Sequence, residues 1–233
     1  MFCFKQFTIR QDRCPMKVGT DGVLLGAWVS TSAADRRVLD IGTGTGLIAL
    51  MLAQRLPGAC IAGVDIDSVE QARENAAASP WGDRLTFHTC AVQAFYDAPF
   101  DLIVSNPPFF VDSLTCPDAG RTAARHAVHL TFEELCDAVL RLLTPAGRFA
   151  LILPVQEAGR FLEVCAGRLQ PVRRTDVRTT PRHPAKRSLL ELMRPAAAAA
   201  AGFERTELII GTGEHECYTP EYRALTRDFY LKF

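Results

Sequence analysis

The sequence predicts an α/β fold with a mainly parallel central sheet, and two observations support this prediction. From residue 37 onward, short apolar runs typical of strands alternate with longer segments typical of helices. The first of these runs, RVLDIG, leads through a glycine-rich turn into a helix-like segment. Strands that alternate with helices usually form a parallel sheet with right-handed crossovers. The length of 233 residues is sufficient for one large domain.

The individual elements are predicted from composition and from their end signals. The predicted strands are RVLDIG, CIAGVDI, RLTFHTC, FDLIVSN and GRFALILP, and the predicted helices are LIALMLAQRL, SVEQARENAAAS and TFEELCDAVLRLL. Pro57 and Gly58 end the first helix, because proline cannot continue one. Ser68 is the predicted N-cap of the second helix. Thr131 followed by Glu134 predicts a capping box at the third.

Three regions lie outside this alternation. Residues 1–36 precede the first strand and are predicted to be an extension of the domain formed by residues 37–233. Residues 108–130 form a long connection, and connections of this length usually belong to functional lids or to disordered segments. The alanine run at 196–201 is interpreted as low-complexity sequence in a surface connection.

Composition excludes several classes of protein. The net charge is +0, so any affinity for nucleic acid must come from a local basic patch. None of the eight cysteines forms a C-x-x-C pair, and none of the five histidines has a metal-ligand spacing, so no metal is expected. No signal peptide or membrane span is expected, because long apolar stretches are lacking. We therefore expect a cytoplasmic protein with free thiols.

The glycine-rich turn favours one kind of ligand over another. Gly42, Gly44 and Gly46 are spaced G-x-G-x-G, whereas nicotinamide dinucleotide sites use G-x-G-x-x-G around a pyrophosphate. Asp40 precedes the turn, and an acid there repels a pyrophosphate but suits an ammonium group. Asp65 ends the next strand, where an acid can accept hydrogen bonds from ribose hydroxyls. The pattern favours S-adenosylmethionine, which carries both an ammonium group and a ribose.

The segment SNPPFF at the end of the fourth strand predicts a site for a planar amine. Two prolines cannot continue a sheet ladder, and they hold the backbone extended and stiff. The side-chain oxygen of Asn106 and the carbonyl of Pro107 can then accept the two hydrogens of an NH2 group. Pro108 adds stiffness, and Phe109 can stack on a planar substrate. This arrangement serves methyl transfer by positioning and electrostatics rather than by acid–base catalysis.

These motifs resemble those of class I S-adenosylmethionine-dependent methyltransferases that carry an [ND]-P-P-[YF] motif. The segment FKQFTIRQDRCPMKVGTDGVLLGAW and the C-terminal YTPEYRALTRDFYLKF are similar to the bacterial tRNA(Val) adenine-37 N6-methyltransferase family. The resemblance implies a Rossmann-like, seven-stranded, mainly parallel sheet with one antiparallel strand, and N6-methylation of adenine in the anticodon loop of tRNA. It also implies that residues 1–36 pack on the donor site.

The resemblance further implies a set of residues that contact the methyl donor. These are Asp40, Gly42, Gly44, Gly46, Asp65, Ile66 and Val92, together with Lys17, Thr20 and Asp21 of the extension. Ala91 departs from the family, because relatives usually carry an acid there that accepts a hydrogen bond from the adenine of the donor. Phe109 also departs from the tyrosine that can occupy the last position of the motif.

Two basic clusters are predicted to bind the phosphates of tRNA. The first lies in PVRRTDVRTTPRHPAKR and the second in the connection after SNPPFF. Their members are Arg173, Arg174, Arg178, Arg182, Lys186, Arg187, Arg121, Arg125 and His126. Three alternatives stay open: methylation of a protein glutamine, methylation of ribosomal RNA or DNA, and a catalytically silent RNA-binding module. A monomer is expected.

Overall fold

A computed structural model gives the fold of the chain and describes residues 1–14, 16–107 and 130–233. The strands are β1 Phe2–Cys3, β2 Thr8–Ile9, β3 Arg37–Ile41, β4 Cys60–Asp65, β5 Leu85–Thr89, β6 Phe100–Ser105, β7 Leu143–Pro154, β8 Gln170–Arg178, β9 Ala185–Met193 and β10 Glu204–Ile209. The α-helices are α1 Thr20–Trp28, α2 Leu47–Arg55, α3 Glu70–Ala77, α4 Phe132–Leu142, α5 Val155–Val164, α6 Pro195–Ala201 and α7 Pro220–Thr226. The connection predicted as a lid falls almost wholly outside the described residues.

The central sheet has eight strands in the order β10-β8-β9-β7-β6-β3-β4-β5. β9 is antiparallel to both of its neighbours, whereas the other neighbouring pairs are parallel. The predicted class of fold is confirmed, including the one antiparallel strand. The expected count of seven strands is wrong by one, because β10 pairs in parallel with the outer edge of β8.

Two apolar cores cover the two faces of this sheet. One core packs α1, α2, α3 and α7 against side chains such as Val38, Ile61 and Leu102. The other packs α4 and α5 against side chains such as Leu39 and Ile103. Successive residues of β3 therefore face opposite cores, as the pleat of a strand requires. Strands that are buried on both faces have nearly continuous apolar sequences, and β3, β4 and β6 of this sheet have such sequences.

The N-terminal extension is part of the packed structure. β1 and β2 form a short antiparallel pair, and seven of the nine residues of α1 are buried. Lys5 Nζ donates hydrogen bonds to the carbonyls of Arg227 and Phe233, at 2.5 and 2.8 Å, and Phe4 stacks on Tyr230. Within the described part of the chain, no helix has the length and apolar character needed to cross a membrane.

Local signals in the sequence predicted helix ends with mixed success. The capping box at α4 is confirmed, because Thr131 Oγ1 accepts from Glu134 N at 3.1 Å and Glu134 Oε2 accepts from Thr131 N at 2.8 Å. Ser68 is not the N-cap of α3; Val69 occupies that position. The interpretation of the alanine run as a surface connection is wrong, because the run forms helix α6 with Pro195 in its first turn.

Candidate functional site

The carboxyl ends of three neighbouring strands bring the predicted motifs together. Ile41, the last residue of β3, pairs with Val64 of β4 and with Ser105 of β6. The Ser105 hydroxyl donates a 2.9 Å hydrogen bond to the Ile41 carbonyl and ties the two strand ends. The glycine loop, Asp65 and Asn106 therefore start from the same edge of the sheet, where open α/β sheets usually bind ligands.

The glycine loop has a backbone conformation that residues with a Cβ rarely adopt. Gly42, Gly44 and Gly46 have φ values of 72°, 53° and 79°. A Cβ at Gly42 or Gly44 would meet no atom within 4 Å, so the loop leaves open space beside it. The amides of Gly42 and Thr43 donate to the Val64 carbonyl at 2.8 and 3.1 Å. The loop is held in place by the sheet, Gly42 and Gly44 face open space, and Gly46 packs against Ala72 and Phe87.

Asp40 lies beneath this loop and is fully buried. Its Oδ2 accepts a 2.8 Å hydrogen bond from Thr43 Oγ1 and a 3.2 Å bond from the amide of Ala49. Its Oδ1 is buried and has no hydrogen-bond partner among the described residues. Burial raises the pKa of the Asp40 carboxyl to about 7, although the two hydrogen bonds oppose this. Asp40 thus helps to shape the loop, and one of its oxygens is left without a partner among the described residues.

Asp65 lies at the end of β4, half-buried beside the loop. Its Oδ2 accepts from the amide of Gly44 at 2.8 Å, and its Oδ1 accepts from the amide of Asp67 at 3.0 Å. A carboxylate has about four acceptor positions, so both oxygens can accept further bonds. The next residue, Ile66, is 50% exposed, which is unusual for a large apolar side chain. The pair offers a polar surface for hydroxyl groups next to an apolar surface for a flat ring.

Asn106 continues from β6 into the predicted acceptor motif. Its side chain is half-buried, and its Oδ1 is buried without a hydrogen-bond partner among the described residues. A buried acceptor without a partner costs free energy unless another group supplies the hydrogen. Pro107 follows and is buried. The neighbouring strand β3 leads into Gly42, about one strand spacing of 4.8 Å away.

The extension places its predicted residues in different environments. Lys17 is exposed, whereas Thr20 and Asp21 begin α1. Asp21 forms an ion pair with Arg187, whose Nε donates a 2.7 Å hydrogen bond to Asp21 Oδ2. Arg187 lies in β9 and pairs with the last residue of β7. Val92 is buried in the core that packs against α4 and α5. The Asp21–Arg187 pair links two predicted sites, and no local sequence signal indicated it.

The predicted basic segment forms two strands and the turn between them. Arg173 and Arg174 lie within β8. Arg173 donates to the carbonyl of Trp28 at 3.0 Å and lies over its ring, and Arg174 donates to Asp176 at 2.8 Å. The tip of the hairpin is different, because Arg182 and Lys186 are exposed.

Two further features complete the placement of the predicted residues. Arg178 ends β8 and donates to the carbonyl of His183 at 2.7 Å, so it supports the turn. Pro108, Phe109, Arg121, Arg125 and His126 lie outside the residues that the structure describes. Sequence reasoning missed Asn75 of α3, whose Nδ2 donates a 2.9 Å bond to the carbonyl of Thr45 in the glycine loop. An asparagine in a charged helix usually faces solvent, so the sequence offered no signal.

A glycine loop, an acid at the end of the next strand and an Asn-Pro pair at the end of a third strand of this sheet define a class I methyltransferase. A family model for the methyltransferase small domain matches residues 19–134. The chain is 47% identical to a tRNA1(Val) (adenine(37)-N6)-methyltransferase of Bacteroides thetaiotaomicron, over 99% of this chain and 97% of that protein. It is 48% identical to the protein of the same name from Aeromonas hydrophila, with the same shares covered. The chain belongs to the family of tRNA1(Val) (adenine(37)-N6)-methyltransferases.

Solved structures support the fold independently. A predicted O-methyltransferase of Agrobacterium tumefaciens is 21% identical and has a TM-score of 0.67, with 90% of this chain and 96% of that chain covered. A geranyl diphosphate C-methyltransferase of Streptomyces coelicolor A3(2) is 14% identical and has a TM-score of 0.53, with 74% and 78% covered. These neighbours act on different acceptors by name, so the likeness concerns the fold alone.

Proposed function

We propose that this protein transfers a methyl group from S-adenosylmethionine to N6 of an adenine in tRNA, at position 37 of tRNA(Val). The observation that carries the proposal concerns Asn106, at the edge of the sheet that carries the glycine loop: its Oδ1 is buried and has no partner among the described residues. Membership of the family supplies the class of acceptor, and the geometry of the site supplies a way to hold it.

The residues around the loop fit the methyl donor. Asp65 has acceptor capacity for the two ribose hydroxyls, and Ile66 exposes an apolar surface beside it for the adenine. Oδ1 of Asp40, which has no partner within the described part of the chain, can accept from a donor at the loop, such as an ammonium group. When bound, the donor supplies an electrophilic methyl group on a sulfonium. The protein contributes no acid or base to that chemistry, and it contributes alignment instead.

Asn106 and Pro107 act on the acceptor amine. The amine of adenine is a poor nucleophile because its lone pair is delocalised into the ring. Asn106 Oδ1 accepts one N–H of this amine and the Pro107 carbonyl accepts the other, which directs the lone pair towards the methyl group. The hydrogen bonds to these two acceptors strengthen as positive charge develops on the nitrogen. They therefore stabilise the transition state more than the ground state. Phe109 stacks on the base in this proposal, and its loss should weaken both base binding and rate.

The hairpin between β8 and β9 is the proposed site of phosphate contact. Arg182 and Lys186 are exposed there, and β8 and β9 bring the turn to the same edge of the sheet as Asn106. The intramolecular partners of Arg173 and Arg174 give these two residues a structural role as well. An adenine must leave its stack to enter a pocket of this kind, and an anticodon loop permits this at a lower cost than a duplex.

Labelled donor offered in parallel to total tRNA, ribosomal RNA, DNA and protein tests the acceptor. We expect label in tRNA, and N6-methyladenosine as the modified nucleoside by mass spectrometry. Asn106→Ala should lower kcat by roughly 10²–10³-fold while the Kd of S-adenosylhomocysteine stays near the wild-type value. Methyl groups on guanine, on DNA or on glutamine would overturn the acceptor. A lack of any transfer with intact donor binding would favour the silent RNA-binding module.

A matched pair of charge changes tests the hairpin. Arg182→Gln removes an exposed charge from the tip, and Arg36→Gln removes an exposed charge just before β3, at the opposite end of the sheet. Arg182→Gln should raise KM for tRNA and reduce the slope of log K against log salt by about 1. Arg36→Gln should leave both unchanged. Equal effects of the two variants would contradict the placement of the RNA on the hairpin.

We further propose that the enzyme works as a cytoplasmic monomer. The described cysteines are free thiols, which is typical of a reducing compartment, and tRNA is modified there. Light scattering on the purified protein checks the mass of the single chain, and a dimer at low micromolar concentration would contradict it.

A further inference from the structure

Asn75 joins three parts of the chain that are distant in sequence. It lies in α3 and is 2% exposed. Its Oδ1 accepts from the amide of Arg10 at 2.8 Å, and its Nδ2 donates to the carbonyl of Arg10 at 3.0 Å. The same Nδ2 donates to the carbonyl of Thr45 at 2.9 Å. Because Thr45 lies between two glycines of the loop, one amide connects the N-terminal extension to the glycine loop.

Gln71 extends this connection along the same face of α3. It lies four residues before Asn75 and is 3% exposed, so the two side chains are neighbours on the helix. Its Oε1 accepts from the amide of Arg13 at 3.1 Å, and its Nε2 donates to Asp12 Oδ1 at 2.9 Å. An exposed ion pair between Arg13 and Glu74 lies beside these bonds. Residues 10–13 are therefore held against α3 by buried amides.

The segment continues to the edge of the site described above. Cys14 follows and is half-buried. Burial is the main cause that raises the pKa of its thiol, and the negative charge of Asp65 adds to it. Gln11 Oε1 accepts from the amide of Val18 at 2.7 Å, which directs the chain towards α1. The extension thus passes near the glycine loop, to which Asn75 ties Arg10, before it reaches Asp21.

We infer that residues 10–14 form one wall of the donor site, and that Asn75 is the positioning residue that couples this wall to the glycine loop. The inference rests on the proposed donor. Asn75 does not touch the donor in this proposal; it fixes the loop through Thr45 and the wall through Arg10. A buried asparagine suits this task because its amide donates and accepts at once.

Donor affinity separates this role from a general effect on folding. Asn75→Asp keeps the acceptor for the Arg10 amide but removes the donor to two carbonyls. Gln71→Ala releases only the wall and leaves the bond to Thr45 intact. Ser79→Ala is the control, because the bonds of the Ser79 hydroxyl with described residues stay within its own turn: it donates to Ala76 O and accepts from Trp81 N. S-adenosylhomocysteine is titrated by calorimetry into each folded full-length variant.

We expect Asn75→Asp to raise the Kd of S-adenosylhomocysteine by roughly tenfold and Gln71→Ala by roughly threefold, with no change for Ser79→Ala. Hydrogen exchange should show the amides of Arg10 and Arg13 slowed by S-adenosylhomocysteine in the wild type, and the amide of Arg13 should exchange faster in Gln71→Ala, which removes its acceptor. Wild-type affinity in both variants, with exchange of these amides independent of the ligand, would overturn the inference and leave the proposed function standing. A wild-type protein that does not bind S-adenosylhomocysteine would overturn both.

Discussion

Replacement of Asp40 by asparagine should remove a pH-dependent cost that the folded protein bears. Burial raises the pKa of this carboxyl from 3.8 to about 7. Between these pH values the unfolded chain has lost the proton and the folded chain has kept it. Raising the pH therefore favours the unfolded state, and the wild type loses stability from pH 4 up to about pH 7. This cost is absent below the lower pKa and reaches its full value above the higher one.

The magnitude follows from the size of the shift. One pKa unit corresponds to about 1.4 kcal/mol, so the interval from 3.8 to about 7 corresponds to roughly 4 kcal/mol at most. Native domains are stable by only about 5–15 kcal/mol, so this effect is large enough to measure. In Asp40→Asn the amide oxygen can accept from Thr43 and Ala49 as Oδ2 does in the wild type. Any change in the free energy of unfolding that the substitution causes equally at every pH does not alter how the difference between variant and wild type depends on pH.

Urea denaturation between about pH 4.5 and about pH 7.5 measures this effect. The free energy of unfolding of Asp40→Asn, relative to that of the wild type, should increase with pH and level off near pH 7. Asp83→Asn removes one carboxylate at an exposed position and should show no such trend. A difference for Asp40→Asn that stays flat across the range would refute the reasoning, since it would mean that the buried carboxyl ionises normally.

Three further variants test the donor edge and the helix that follows the acceptor motif. Ala91→Asp should lower the Kd of S-adenosylhomocysteine about fivefold, because Ala91 is half-buried and the family resemblance implies an acid at this position. Ala91→Ser caps the same turn without a charge, and an equal gain there would contradict a role of the carboxylate. Gly63→Ala should destabilise the protein by roughly 1–3 kcal/mol in denaturation, because the added Cβ would lie 2.5 Å from the Phe87 ring and 2.8 Å from Thr43 Oγ1. The same variant should weaken S-adenosylhomocysteine binding. Wild-type stability would show that the Phe87 ring moves freely. Thr131→Ala should cost about 1 kcal/mol by loss of the capping box, with Thr131→Ser restoring it, and a failure of serine to restore stability would assign the loss to packing of the methyl group.

The sequence was sufficient where a feature depends on neighbours along the chain. The glycine loop, Asp65 and Asn106 each follow an apolar strand, and parallel strands bring their carboxyl ends to one edge. The capping box of α4 depends on two residues three apart, so it was also predictable. The helix at the alanine run could also have been predicted from the sequence, because alanine favours helices and Pro195 suits a first turn.

Features set by contacts across the chain could not be predicted in this way. Arg173 and Arg174 are basic residues in a basic segment, and only the fold shows that Trp28 and Asp176 bind them. Ser68 has the composition of an N-cap, but the helix starts after Val69 because the chain leaving β4 first turns at Asp65, which accepts from the Asp67 amide. β10 follows a helix and a glycine, and its parallel pairing with β8 spans about 30 residues.

The strand order has a consequence for engineering of the enzyme. The hairpin between β8 and β9 and the glycine loop after β3 are separated by β7 and β6, so β9 and β3 lie about three strand spacings, or 14 Å, apart. Residues 179–184 at the tip connect two strands whose register is fixed by their own ladder. A library of substitutions confined to this turn would vary one surface while every hydrogen bond of the glycine loop is preserved. New substrate preferences can therefore be selected on this scaffold without rebuilding the part that handles the methyl donor.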